Sequence, residues 1–247
     1  MEQTEQKYGV RKATPAIPER DLLVVPHRGR ELVVSHPAFG PDTYANNVAE
    51  MGKPYTHSAE SPAISFREPT TSESISASAY EFPTRAKPEI FDPRWLQAGR
   101  IARTSEGVFA NQPRNVDEKT LKSYLAKARN VNGIWLLPNG AIEGVQDFGF
   151  APYESFQTGV QDCNTFAEGG LGRVIEHAEG TAVNLRAIAS PKNYKRGVNV
   201  GGFEPTKELA EKVLCLSSYW GIDDGRLFVG GYWNDYSDGY CFGVRSK

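Results

Sequence analysis

Gly230 to Tyr240 reads GGYWNDYSDGY, built almost wholly from tyrosine, tryptophan, asparagine, aspartate, serine and glycine. Such side chains cannot fill a hydrophobic core. What they can do is recognition: rigid rings with a polar tip, set among short polar groups, are the contact chemistry of antibody loops. Two apolar runs frame the stretch, Arg226-Leu227-Phe228-Val229 and Cys241-Phe242-Gly243-Val244, and both read as β-strands. A loop of this kind between two strands is a binding surface, and the rest of the chain is its scaffold.

Other reactive side chains do not converge on a site. Cys163, Cys215 and Cys241 are odd in number and fit no zinc spacing. Cys215 lies in an apolar run and reads as a small buried hydrophobe, able to pair with Cys241 only if their strands are neighbours. His27, His36, His57 and His177 form no HxxxH or HExxH pattern. Cys163 and His177 invite a nucleophile–base reading, but on one helix they stand about 21 Å apart unless it breaks at Gly169-Gly170. Glu143, Asp147 and Glu154, spaced by Phe148, Phe150, Tyr153 and Phe156, read as ordinary surface acids between core rings. Asp223-Asp224 alone falls short of the six to eight oxygens that Ca²⁺ takes.

The elements around the loop follow from pattern. A length of 247 residues, with 39% apolar and 23% charged side chains, supports a core of useful size. A net charge of −2 gives no basic footprint for nucleic acid. No run approaches the ~20 apolar residues of a membrane span, and Met1 to Lys12 lacks the apolar region of a signal peptide. Residues 1–20 read as a flexible N-terminal arm and 21–247 as one domain. Leu22–Val25 and Glu31–Val34 around Pro26–Arg30 predict a hairpin with a five-residue link. Asp42 is the expected cap of a short helix ending at Gly52. Thr70 and Glu73 form a capping box ahead of a helix over Ser74–Glu81, followed by a Pro-rich connector, Phe82–Pro93. Asn115–Asn130 predicts a helix with Val116, Leu121, Tyr124, Leu125 and Ala128 on one stripe. Ile134–Leu137 is a strand, Asp162–His177 and Thr181–Ala189 are helices, and Val213–Leu216 favours strand. Strands, then helices, then strands argue for an α+β fold with much irregular loop.

Gly230-Gly231-Tyr232-Trp233 followed by Phe242-Gly243-Val244-Arg245 resembles the close of the C-type-lectin-like fold of formylglycine-generating enzymes and their relatives. The segment 216–245 resembles more closely the variable region of proteins diversified by retroelements. In that family a reverse transcriptase changes adenines in the coding sequence, so AAC-like codons yield Asn, Asp, Ser, Tyr, Gly or Cys but never Trp. The resemblance implies a C-type-lectin-like fold whose ligand-binding residues are Tyr219, Asp223, Asp224, Tyr232, Asn234, Asp235, Tyr236, Ser237, Asp238 and Tyr240. Trp220, Trp233, Phe242 and Arg245 would support that face from beneath. Cys241 is also reachable from such a codon. Formylglycine-generating enzymes bind copper through two cysteines, which makes Cys215 and Cys241 the residues of a metal-oxidase alternative. Glu204-Pro205-Thr206 misses the sugar-binding Glu-Pro-Asn tripeptide of lectins. The expectation is a binding protein, receptor- or adhesin-like, without cofactor and not an enzyme. Its partner would be a macromolecule such as a cell-surface protein, and its place of display a virion or cell surface. A structural protein of a virion or surface layer is the third reading.

Overall fold

The computed structural model describes residues 18–58, 61–84, 95–218, 225–233 and 237–245, with backbone alone at 82, 84, 232 and 233. Strand β1 (Asp21–His27) pairs antiparallel with β2 (Arg30–His36), with His27 opposite Arg30. The link is therefore two residues, not five. Arg28 and Gly29 both have positive φ, 49° and 78°, the backbone of a turn whose twist matches that of the strands it joins. Of the residues read as an arm, Glu19 bridges Thr56 and the Arg20 guanidinium sits 3.7 Å over the Phe39 ring.

Strand β3 (Phe39–Asp42) leads into helix α1 (Tyr44–Met51), capped at its start by Thr43, whose hydroxyl accepts from Asn46 N. The Asp42 carboxylate instead accepts from Thr43 N and Asn46 Nδ2. After β4 (Phe66–Arg67) comes α2 (Thr71–Thr84), where the capping box forms as read: Thr70 N donates to Glu73 Oε2 at 2.9 Å and Glu73 N donates to Thr70 Oγ1 at 3.2 Å. This helix outruns the expected one at both ends. Its Ser72, Ser74, Ser76 and Ser78 are all buried, and small side chains let the helix approach its neighbours closely.

Strands β5 (Trp95–Arg103) and β6 (Gly107–Ala110) follow, in a stretch whose sequence shows no strand alternation. The expected long helix is only α3 (Glu118–Leu125), because Arg129–Val131 is strand β7, paired with β8 (Ile134–Leu136). Asn132 and Gly133 at φ 51° and 85° make another two-residue hairpin turn. An Asn-Gly turn of that kind overrides the helical spacing around it. Next come β9 (Gly149–Pro152) and β10 (Gly159–Gln161), then α4 (Cys163–Glu168), α5 (Gly170–Glu176) and α6 (Val183–Ile188). The helix read over Asp162–His177 does break, at Gly169, whose ψ of 153° is extended. Strands β11 (Val198–Gly201), β12 (Ala210–Ser218), β13 (Leu227–Trp233), β14 (Gly239–Cys241) and β15 (Val244–Arg245) complete the chain.

The large sheet runs β10-β11-β13-β12-β5-β6-β9-β8-β7, with β14 laid between β3 and β5; a second sheet runs β1-β2-β15-β4. The run from Cys241 to Val244, read as one strand, thus serves both sheets and crosses at Phe242-Gly243. A Cβ on Gly243 would lie 2.7 Å from Phe39 Cε2, so only glycine passes there. Leu96, Leu214, Leu216, Leu227, Val229 and Phe242 are completely buried.

Candidate ligand-binding face

The end of the sheet at which β14 starts carries the candidate surface. Tyr240 pairs with Leu96, Leu96 with Leu216, and Leu216 with Val229, so β14, β5, β12 and β13 are in register across one row. Gly239 pairs with Trp95 one step along, and the Trp95 and Phe228 rings meet edge to face at 5.8 Å. Ser218, the last residue of β12, pairs with Leu227 at the same end. Ser218 and Leu227, together with the turn at Ser237-Asp238, therefore lie along one edge. At roughly 4.8 Å per strand, the β12 and β14 ends are about 10 Å apart.

Buried amides clamp the turn. Asn47 Nδ2 donates to Gly239 O at 2.9 Å and to Gln97 Oε1 at 2.8 Å, and Gln97 Nε2 donates to Asp42 O at 3.2 Å. A Cβ on Gly239 would lie 2.0 Å from Gln97 Nε2, and one on Gly231 would lie 2.5 Å from the Phe203 ring. Two glycines that leave no room for a side chain thus bracket residues 232–238.

Ser237 and Asp238 are exposed, and Tyr240 is half-buried with its ring against the main core. Tyr232 and Trp233 are described only as backbone of β13, with Trp233 opposite Val213. Tyr219, Trp220, Asp223, Asp224, Asn234, Asp235 and Tyr236 lie outside the described residues. Phe242 is fully buried. Arg245, expected beneath the face, is instead exposed on β15 in the four-stranded sheet, opposite Phe66. Cys241 is fully buried, so its codon chemistry does not make it a contact residue. These placements divide Tyr240 from its neighbours. Tyr240→Ala is expected to cost about 1–3 kcal/mol, while Ser237→Ala with Asp238→Ala changes stability by no more than about 0.5 kcal/mol. Thermal melts compare the two, and equal melting temperatures would contradict the half-buried ring.

Asp147 is not the surface acid its spacing suggested. It is 1% exposed. Its carboxylate accepts from Arg28 Nη1 at 2.6 Å, Thr70 Oγ1 at 2.8 Å and Asn139 Nδ2 at 2.9 Å, and His177 Nδ1 stands 3.8 Å away. Burial opposes its charge, but these partners together hold its carboxyl below the ordinary range. His177 also hydrogen-bonds Leu137 O through Nε2, and it stands at the C-terminus of α5 with φ 53°. It is tied into this network, not to Cys163, which packs in the core. Positive φ at Asp147 and His177 could not be read from the sequence.

Burial lowers the pKa of His177 and of His27, whose Nδ1 lies 2.9 Å from Ser76 Oγ. Both imidazoles bind a proton less readily in the folded chain than in the unfolded one. The unfolded state therefore takes up protons first as pH falls below about 6.5. Stability is expected to be full above that pH and to decline below it, before Asp147 titrates at lower pH in the same direction. Urea denaturation from pH 8 to pH 5 measures the decline, and His27→Gln should flatten it.

Cys215 and Cys241 are free thiols, and burial pushes both pKa values up. Glu204 and Thr206 both bond Arg103: Arg103 Nη1 stands 3.2 Å from Glu204 Oε2, and Thr206 Oγ1 donates to Arg103 O. Among the described residues no group of three His, Cys, Asp or Glu side chains could hold a metal, and no helix is long and apolar enough to cross a membrane.

No protein-family model and no curated protein matches the chain. Among solved structures it is similar to a chain from "Accommodation of massive sequence variation in Nanoarchaeota by the C-type lectin fold". The TM-score is 0.50 at 13% identity, over 85% of this chain and 99% of that one. The architecture is thus an α+β fold of the C-type lectin type. Likeness at that identity carries the fold and nothing finer.

Proposed function

We propose that this chain is a ligand-binding protein whose C-terminal surface, within residues 216–245, is varied by a diversity-generating retroelement. Its partner is a macromolecule presented on a cell surface. One observation carries the reading: an exposed turn is set between glycines that admit no side chain, on strands buried in the core. Substitutions in such a turn change what the surface touches and leave the packing alone, because exposed changes usually move stability by only about 0.5 kcal/mol. Tyrosine and tryptophan anchors in such a surface supply about 2 kcal/mol or more each on binding. The similar Nanoarchaeota structure, described by massive sequence variation on the same fold, supports the reading by analogy.

The copper-oxidase reading asks two thiols to act as ligands at a site that substrate can reach. Cys215 and Cys241 are 2% and 0% exposed and kept neutral by burial, which favours binding over that chemistry. The test is to sequence the flanking DNA. A near-copy of the 3′ coding end that differs only at adenines, beside a reverse-transcriptase gene, is the expected result. A flank with neither leaves a fixed binding surface and removes the diversification. Stoichiometric copper in the purified protein would reinstate the enzyme.

A further inference from the structure

We infer that the cleft between the β4–α2 and β6–α3 connections binds a small hydroxycarboxylate. It measures about 260 Å³, and Arg67, Glu68, Arg100, Gln112 and Arg114 supply its chemistry. Its lining includes neither Ser237 nor Asp238, and nothing proposed for that turn depends on it.

Charge is the first argument. Among the described residues, Arg28, Arg30, Arg67, Arg100 and Arg114 pair with three acids, Asp147, Glu73 and Glu68. The cluster therefore carries surplus positive charge. The guanidiniums are held in place: Arg67 forks onto Glu73 at 2.7 and 2.8 Å, and Glu68 takes Arg100 Nε at 2.5 Å and Arg114 Nη2 at 3.0 Å. Among the described residues Arg100 engages no acceptor beyond its Nε, nor Arg114 beyond its Nη2. A guanidinium has five N–H donors in a planar fork matched to a carboxylate, so most of these donors remain open.

Gln112 narrows the ligand class. It lines the cleft, is 2% exposed, and neither its Nε2 nor its Oε1 has a hydrogen-bond partner among the described residues. A buried amide left unpaired is costly. Its loop is fixed beside it by Asn111, whose side chain accepts from Thr71 N and donates to Asp147 O. A ligand that relieves Gln112 must both donate and accept. Sulfate and acetate only accept. A hydroxyl next to a carboxylate does both, with the carboxylate on the arginines and the hydroxyl on the amide.

The experiment titrates the full chain with lactate, malate, acetate and sulfate by calorimetry. Lactate and malate should saturate in the millimolar range or below, with acetate and sulfate about tenfold weaker, a difference of about 1.4 kcal/mol. Arg114→Ala should weaken lactate by about tenfold and Arg114→Lys by less. Gln112→Met should erase the preference for lactate over acetate without lowering the melting temperature of the free protein. No saturation by either hydroxy acid, or sulfate binding as tightly as lactate, would overturn the inference. So would a Gln112→Met protein that melts lower and still prefers lactate, since the amide would then serve the fold.

Discussion

Gly239→Val is expected to cost the fold about 3 kcal/mol or more, the upper end for forcing extra atoms into a packed interior. A Cβ there meets Gln97 at Nε2, Cδ and Cγ, at 2.0, 2.3 and 2.8 Å. The glutamine cannot swing aside cheaply. Its amide bonds Asp42 O and Asn47, and Asn47 in turn holds Gly239 O. Moving Gln97 would break a buried network whose members are 2% and 4% exposed at Asn47 and Gln97, and unpaired buried amides add their own penalty. Strand β14 would lose its register against β3 and β5, and the turn before it would lose its mount. Urea denaturation gives the cost as a shift in midpoint at constant slope. A shift as small as that of Ser237→Ala with Asp238→Ala would mean that Gly239 does not bound the proposed contact stretch. The proposed division into mount and tip would then be wrong.

Glu73→Ala should be nearly as damaging, at about 3 kcal/mol, from the loss of a helix cap and of charge-assisted hydrogen bonds. Glu73 is fully buried. It accepts two bonds from Arg67, one from Arg30 at 3.3 Å and one from Thr70 N. Removing it leaves Thr70 N without its acceptor inside the protein, while the backbone N of residue 73 still donates to Thr70 Oγ1. Both arginines are partly exposed, 38% and 40% at Arg67 and Arg30, so water recovers part of their loss. That keeps the cost below the ~5 kcal/mol extreme for a broken buried ion pair. Glu73→Gln retains an acceptor for Thr70 N and should lose only about half as much. Equal losses for the two variants would show that charge, not the cap, carries the effect.

Local devices were legible. The β1–β2 hairpin, the Thr70–Glu73 box, the stop at Gly52 and the strand around Val213–Leu216 each depend on residues close in sequence, and each formed. Readings failed where distant contacts decide. Asn115–Asn130 has helical spacing throughout, yet its end became strand because Asn132-Gly133 folds it back onto Ile134–Leu136. Strands β5 and β9 show no alternation, since both faces are covered: Leu96, Gln97 and Ala98 are all buried, as are Phe150 and Ala151. A period-two signal requires one wet face.

The candidate face divides the same way. Composition alone marks Gly230–Tyr240 as unfit for a core and suited to contact, because tyrosine, aspartate and serine keep their chemistry wherever the chain puts them. Only the tertiary structure decides that Gly239 is pinned, that Tyr240 is half inside, that Arg245 belongs to the other sheet and that Asp147 is buried among Arg28, Thr70, Asn139 and His177. Those facts depend on which strands lie side by side. Strand register is set by packing across the whole domain, and no short stretch of residues contains it.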